Sequence, residues 1–329
     1  MPSPEEPRRI VYRVTGRDEG ARLDLFLKER IPRMSREGIK EAIRARVAVA
    51  GRERVRPSTA LHAGNEVTVT YPEGEPETAT GPAADLLHED ASLLVVNKPA
   101  GMLVHATGSS TSRSLLGALR AAGHEGLHLV HRLDKETSGA VVLARSVEGA
   151  RILSRAFARG EVEKTYVAIV FGVVERDEGV VELPLGPAAR SAVHVKQGID
   201  RERGRPARTE YRVTERLDGF TCLTLRPRTG RRHQIRVHLQ AIGHPVVGDK
   251  LYGAAESHHL RYIERGFDER MRRELLAERQ LLHAAEIALR HPGDGRAVRF
   301  EAPLPEDMRD FILRSGGSSP SPSGVRSAG

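Results

Sequence analysis

The stretch His131-Arg132-Leu133-Asp134-Lys135-Glu136-Thr137-Ser138-Gly139 crowds ionisable side chains into one short segment ahead of an apolar run, Ala140 to Leu143. Asp134 lies between the cations Arg132 and Lys135, a setting that favours an ionised carboxylate. Ser138-Gly139 reads as a turn that delivers the chain into a strand. A carboxylate presented on a turn beside a sheet can act as a base or a nucleophile from a rigid scaffold. A salt-bridged surface turn would show the same spacing.

A second cluster lies a hundred residues on. Arg228-Thr229-Gly230-Arg231-Arg232-His233-Gln234-Ile235-Arg236-Val237-His238-Leu239 joins a Thr-Gly turn to a helix whose apolar face is Ile235, Leu239 and Ile242. As residue types alone, this is a basic helix start suited to phosphate. His233 and His238 are five apart and do not share a helix face as a metal pair would. His124-Glu125-Gly126-Leu127-His128 has the letters of a zinc-protease helix, but Gly123 and Gly126 weaken a helix there, so no metal is expected. Gly243 to Lys250 lacks the Gly-Lys-Ser/Thr ending of a phosphate loop.

These elements need positioning. Leu93 to Val96 reads as a buried strand leading into the turn Asn97-Lys98-Pro99-Ala100-Gly101, and Thr111 to Ala122 as a helix with Leu115, Leu116 and Leu119 inward. Val147 to Ala158 reads as a helix with Ile152, Leu153 and Ala156 inward, stopped by Gly160. Glu163-Lys164-Thr165-Tyr166 enters a strand ending at Phe171. Further strands fall at Ala192–Val195, Thr209–Val213 and Phe220–Leu225. Residues 254–280 are charged and helical in type, as a surface insertion would be.

The first seventy residues form a separate module. Residues 10–14 alternate as a strand, a helix starts at Leu23, and Ser35 can cap a second helix with Ile39, Ala42 and Ile43 on one face. Val47–Val49 and Val67–Thr70 follow as strands. Arg30 and Arg33 belong to its basic surface, and Arg36, Lys40 and Arg44 recur at four-residue spacing as a positive stripe suited to a phosphate backbone. Pro72 to Ala84 has linker composition. The tail from Ser315 is Ser/Gly/Pro-rich and reads as disordered.

The whole chain has 329 residues, enough for two domains, with 52 Lys+Arg against 44 Asp+Glu, a formal charge of +8. Such a balance points to a polyanionic partner. Cys222 is the single cysteine, so no disulfide can form within the chain, and its apolar surroundings suit a core residue rather than a nucleophile. Neither a signal peptide nor an apolar run near the roughly 20 residues of a bilayer span is visible, so a cytoplasmic location is expected.

The nonapeptide closely resembles the active-site motif of the RluA/RluD-type RNA pseudouridine synthases, HRLDxxTSG, with Glu136 where an Asp is frequent. The KxY at Lys164–Tyr166, the RTGRxHQIRxH at Arg228–His238 and the HPxxGDxxYG at His244–Gly253 resemble that family as well. So do Asn97–Gly101 with Val104-His105, Leu282-His283-Ala284, and the stretch from Ala302 to Met308. The first module resembles the S-four-like α-L RNA-binding domain through Arg22-Leu23-Asp24, Ser35-Arg36, Ile43, Val47–Val49, Gly51 and Gly64. It has Arg44-Ala45-Arg46 where a helix-ending Gly is usual.

The resemblance implies an α+β fold: residues 1–71 as the RNA-binding domain, 72–84 as linker, 85–314 as a catalytic domain on a mixed, largely antiparallel sheet, and 315–329 as tail. It implies uridine-to-pseudouridine isomerisation in structured RNA, most like the enzymes of large-subunit (23S) ribosomal RNA, with transfer RNA as the alternative and an inactive ribosome-assembly factor as a second class. Asp134 would be the essential residue, paired with Arg236. Tyr166 would pack on the uracil and could help move the C5 proton, and Arg132 would brace the space left by the flipped base. Neither cofactor nor metal is implied, and a monomer is expected.

Overall fold

The computed structural model describes residues 9–31, 36–52, 54–70, 84–105, 114–188, 191, 193, 195–253 and 257–317. The chain divides into two compact units: Met1–Gly81 with His105–Ala118, and Pro82–Val104 with Leu119–Gly329.

In the first unit, β1 (Arg9–Arg13), α1 (Leu23–Arg30), α2 (Arg36–Arg46), β2 (Val47–Val49) and β3 (Glu66–Thr70) follow one another. The strands form an antiparallel sheet in the order β1-β3-β2. Leu23, Phe26 and Leu27 of α1 and Ile39, Ala42 and Ile43 of α2 are buried with Val47, Val49, Val67 and Val69 in one core. Helical spacing of the apolar residues and period-two alternation in β3 place them there. Gly51 and Gly64 take the left-handed backbone their turns require, with φ of 79° and 90°. No glycine ends α2; the chain passes directly from Arg46 into β2. Ser35 and Arg33, proposed as cap and surface cation, lie outside the described residues, as do positions 72–83 of the expected linker.

In the second unit the strands are β4 (Asp85–Glu89), β5 (Leu93–Lys98), β6 (His128–Leu129), β7 (Ser138–Ala144), β8 (Glu163–Phe171), β9 (Glu178–Glu182), β10 (Leu185–Pro187), β11 (Gln197–Ile199), β12 (Arg208–Leu217), β13 (Phe220–Pro227), β14 (Leu282–Arg290) and β15 (Ala297–Glu301). The helices are α3 (Leu115–Ala121), at the junction of the two units' sequences, then α4 (Val147–Arg159), α5 (Gln234–Ala241), α6 (Ser257–Arg265), α7 (Glu269–Leu275) and α8 (Glu306–Arg314). The main sheet runs β4-β5-β7-β14-β8-β13-β12-β9, with β6 added to β7 and β15 to β14, while β10 and β11 form a separate hairpin. Among the described residues every pairing is antiparallel except β7 with β14. All seven residues of β7 are buried, as a near-continuous apolar strand at a sheet centre should be.

Several expectations need correction. Ser138 and Gly139 open β7 instead of forming a turn before it; Gly139 has φ 116° and lies against the backbone of Ala284, so no side chain fits. In α4 the inward positions are Gly149, Leu153, Ala156 and Phe157, whereas Ile152 is 39% exposed, because one residue's step of the helix turns it away from Leu153. The described part of Ala192–Val195 is not a strand: the Ser191 hydroxyl accepts from Val193 N–H, Lys196 N–H closes a turn on Val193 O, and the strand starts at Gln197. Within the 254–280 segment Ser257–Arg265 and Glu269–Leu275 are helices, yet Met271 and Leu275 of α7 are fully buried, so it is more than a surface addition. Ser315 is buried and its carbonyl accepts from Asp218 N–H, so the ordered chain runs past the expected tail boundary; residues 318–329 lie outside the described residues. Arg30 is no free surface cation. Its guanidinium grips Asp18 at 2.8 and 2.9 Å and stacks on Phe26.

Candidate active site

Asp134 occupies the loop between β6 and β7, and four neighbouring segments hold that loop. Lys98, fully buried at the end of β5, donates from Nζ to the carbonyls of Pro99 (2.8 Å), Met102 (2.9 Å) and, across the chain, Lys135 (3.2 Å). Burial and the charge of Arg279 push its pKa down to about 7, against the pull of Asp134. Three carbonyls for three N–H donors nonetheless match an ammonium. Gly101 N–H also donates to Lys135 O. On the other flank, Gln280 donates to Thr137 Oγ1 at 2.7 Å, and Ser138 Oγ meets Nδ1 of the buried His283 at 2.9 Å. Lys250 Nζ reaches Glu136 Oε1 at 2.7 Å. Before the loop, His131 accepts from Val142 N–H at Nε2 and stacks on Phe157 at 4.7 Å. Burial and the Lys164 charge push the pKa of His131 down to about 3, so the ring is neutral.

Arg236, 7% exposed on α5, comes to the Asp134 carboxylate from 102 residues away: Nη1 donates to Oδ2 at 2.9 Å. The rest of its fork is taken by Asp249, which accepts from Nε at 2.6 Å and from Nη2 at 2.9 Å. Asp249 is fully buried and also accepts from the Leu251 and Tyr252 N–H groups. The guanidinium lies 4.8 Å from the centre of the Tyr252 ring. Arg236 is thus fixed from behind, and its free edge is aimed at Asp134. Burial alone would favour a neutral Asp134, but the charge and hydrogen bond of Arg236 prevail and hold its pKa below the usual carboxylate range. Burial likewise works against the Arg236 cation, and the two aspartates reverse it and raise its pKa.

Tyr166 sits half-buried on β8, packed against the cluster of Ala168, Leu225, Ile235 and Leu239. Its phenol is close enough to feel Asp134: burial first, then that negative charge, push its pKa up, so it keeps its proton. Arg132, two residues before Asp134, is exposed. In the first unit Arg44 is exposed, but Lys40 is half-buried and paired with Glu37 at 3.2 Å, and the Arg36 side chain lies outside the described residues. His124 lies in irregular chain and His128 in β6, neither on a helix, and His124 faces Glu89 at 3.4 Å. Among the described residues no three His, Cys, Asp or Glu side chains converge as a metal site.

Sequence reasoning brought Asp134 and Arg236 together correctly but left out Asp249 and His233. In the sequence Asp249 stands only as one position of the HPxxGDxxYG stretch. A buried guanidinium needs more acceptors than one carboxylate supplies, and that need was the available signal.

The matching family model is that of RNA pseudouridylate synthases, over residues 92–241. An uncharacterized RNA pseudouridine synthase of Aquifex aeolicus is 35% identical over 313 residues, covering 91% of this chain and 95% of the relative. This chain is an RNA pseudouridine synthase. The ribosomal large subunit pseudouridine synthase D of Xanthomonas campestris pv. campestris is 35% identical, covering 89% of this chain and 88% of the relative. Synthase C of Escherichia coli strain K12 is 33% identical, covering 94% and 98%. Among solved structures, human RNA pseudouridylate synthase domain containing 4 superposes with a TM-score of 0.56 at 28% identity, covering 72% of this chain and 95% of the human one. The synthase fold therefore carries the Asp134–Arg236–Asp249 chain described above.

Proposed function

We propose that this synthase isomerises a uridine of large-subunit ribosomal RNA, and that Asp134 is the group that starts the reaction. The observation that carries the reading is the Arg236 guanidinium held between Asp249 and Asp134, which keeps one carboxylate ionised and aimed in a half-buried site. Isomerisation breaks the N1–C1′ bond, turns the uracil, joins C5 to C1′, and moves the C5 proton off as N1 gains one. Asp134 serves as nucleophile at C1′ or as base at C2′. Both roles start from the same ionised carboxylate. Tyr166 offers an apolar ring face and a hydroxyl that stays protonated, a stacking partner for the uracil. The base must leave its stack to reach this site, at a cost of a few kcal/mol. Arg132, exposed, braces the vacated position, and the first unit binds RNA backbone through Arg44 and neighbouring cations.

The two named ribosomal relatives support the choice of RNA. Pseudouridine mapping of total RNA from cells with and without the gene tests it. A uridine lost from large-subunit RNA alone is expected; loss from transfer RNA alone would transfer the substrate to that class.

A further inference from the structure

His233 occupies an unusual place. It is the residue before α5, with φ 57°, one of two non-glycine residues in the left-handed region among those described. Strained backbone of this kind persists where surrounding contacts enforce it and clusters at functional sites. Its side chain is 9% exposed. On one side Nδ1 meets the Tyr252 hydroxyl at 2.8 Å; on the other, Nε2 faces Asp134 Oδ1 at 3.9 Å.

The tautomer follows from the partners. Tyr252 Oη accepts from Gln197 N–H at 2.8 Å and has its own proton to give to Nδ1 of His233, while the carboxylate facing Nε2 at 3.9 Å favours the ring proton on that nitrogen. An Nδ1 that accepts leaves the ring proton on Nε2, the nitrogen turned to Asp134. The ring is neutral: burial pushes its pKa down to about 4, Arg236 and Arg232 add to this, and Asp134 and Asp249 only partly oppose it. Arg236 holds Oδ2 of the carboxylate, and the Nε2–H of His233 stands opposite Oδ1, about 1 Å beyond bonding distance. Catalytic hydrogen bonds are often long before substrate binds and shorten in the complex.

We propose that His233 is a positioning residue: a neutral Nε2–H donor, fixed by the Gln197–Tyr252 chain, that closes onto Oδ1 of Asp134 when the uridine docks and, with Arg236, sets the angle of the carboxylate. This rests on the assignment of Asp134 as the reacting group.

The test compares His233→Gly, which suits the left-handed backbone, with His233→Gln, whose amide can place a donor near the lost Nε2. Turnover is followed by tritium release from C5-labelled ribosomal RNA transcripts. Loss of aim by about an ångström costs on the order of a hundredfold. His233→Gly should therefore lose about that in kcat with KM for RNA within about twofold, His233→Gln should recover at least about tenfold of it, and added imidazole should partly rescue His233→Gly. A wild-type kcat in His233→Gly, a change in KM alone, or a Gln variant as slow as the Gly variant would overturn the proposal. Nitrogen-15 spectra of histidine-labelled protein, assigned by the loss of one signal in His233→Gln, read the tautomer without any turnover. An Nε2–H form at pH 7 is expected, and an Nδ1–H form overturns the proposal. An inactive wild-type protein would instead strike at the assignment of Asp134, and the spectra would still decide the tautomer.

Discussion

Asp249→Asn removes one charge and one acceptor from the back of the site while changing almost no volume. In the folded protein Asp249 Oδ1 serves the Leu251 and Tyr252 N–H groups and Arg236 Nη2, and Oδ2 serves Arg236 Nε at 2.6 Å. An asparagine can keep the oxygen that faces the two backbone donors, but its NH2 then points at Nε, donor against donor. A buried ion pair is broken by loss of one partner at about 3–5 kcal/mol. That is a large part of the roughly 5–15 kcal/mol that holds a domain together. At about 2–4 °C per kcal/mol for a unit of this size, the melting temperature should drop by roughly 6–20 °C. Thermal and urea unfolding of the full chain, followed by circular dichroism, measure it. Turnover should fall as well, because Arg236 is freed to rotate away from Asp134. A double-mutant cycle with Arg236→Met sharpens the test: the two residues share one ion pair, so the double variant should lose less stability than the sum of the two single losses. An Asp249→Asn protein that melts within about 2 °C of wild type with unchanged turnover would refute the reasoning.

Gly139→Ala should prevent stable folding of the second unit, since φ 116° and the Ala284 backbone leave no place for a methyl group; soluble expression and circular dichroism check it. Arg236→Met should move the acid limb of the kcat/KM profile up by about one to three pH units, because burial and Asp249 both raise the Asp134 pKa once the cation is gone. Stability should fall as pH falls below about 6.5. His131, His233 and His283 are held neutral with pKa values near 3, 4 and 4. Between those values and the unfolded value of about 6.5 the unfolded chain binds more protons, so each contributes a slope of about 1.4 kcal/mol per pH unit, fully retained above that window. Urea midpoints from pH 7.5 to 4.5 test it, and a flat profile would contradict the neutral assignments.

How far the sequence announces this site depends on how far apart its parts are in the chain. Asp134 and β7 are legible because motif and strand are contiguous. The helix carrying Arg236 is legible from the turn and the apolar face Ile235–Leu239 that precede and follow it. Asp249 and His233 are not, since their roles exist only once α5, the 244–253 turn and the Asp134 loop meet. The inward face of α4 was misjudged at Ile152 because hydrophobicity does not report which of two adjacent positions faces the sheet. The 254–280 segment looks like surface by composition, yet two apolar residues, Met271 and Leu275, are enough to anchor it. The strand expected at Ala192–Val195 lost to a local Ser191 turn, a competition that alternation does not reveal.

The central claim is that one ionised carboxylate, Asp134, carries the isomerisation. Asp134→Asn keeps the size and loses the charge, so pseudouridine formation in a large-subunit RNA transcript by this variant, beside its RNA affinity, is the direct measurement. Retained binding with no detectable pseudouridine is expected; product formed at a rate near wild type would contradict the account.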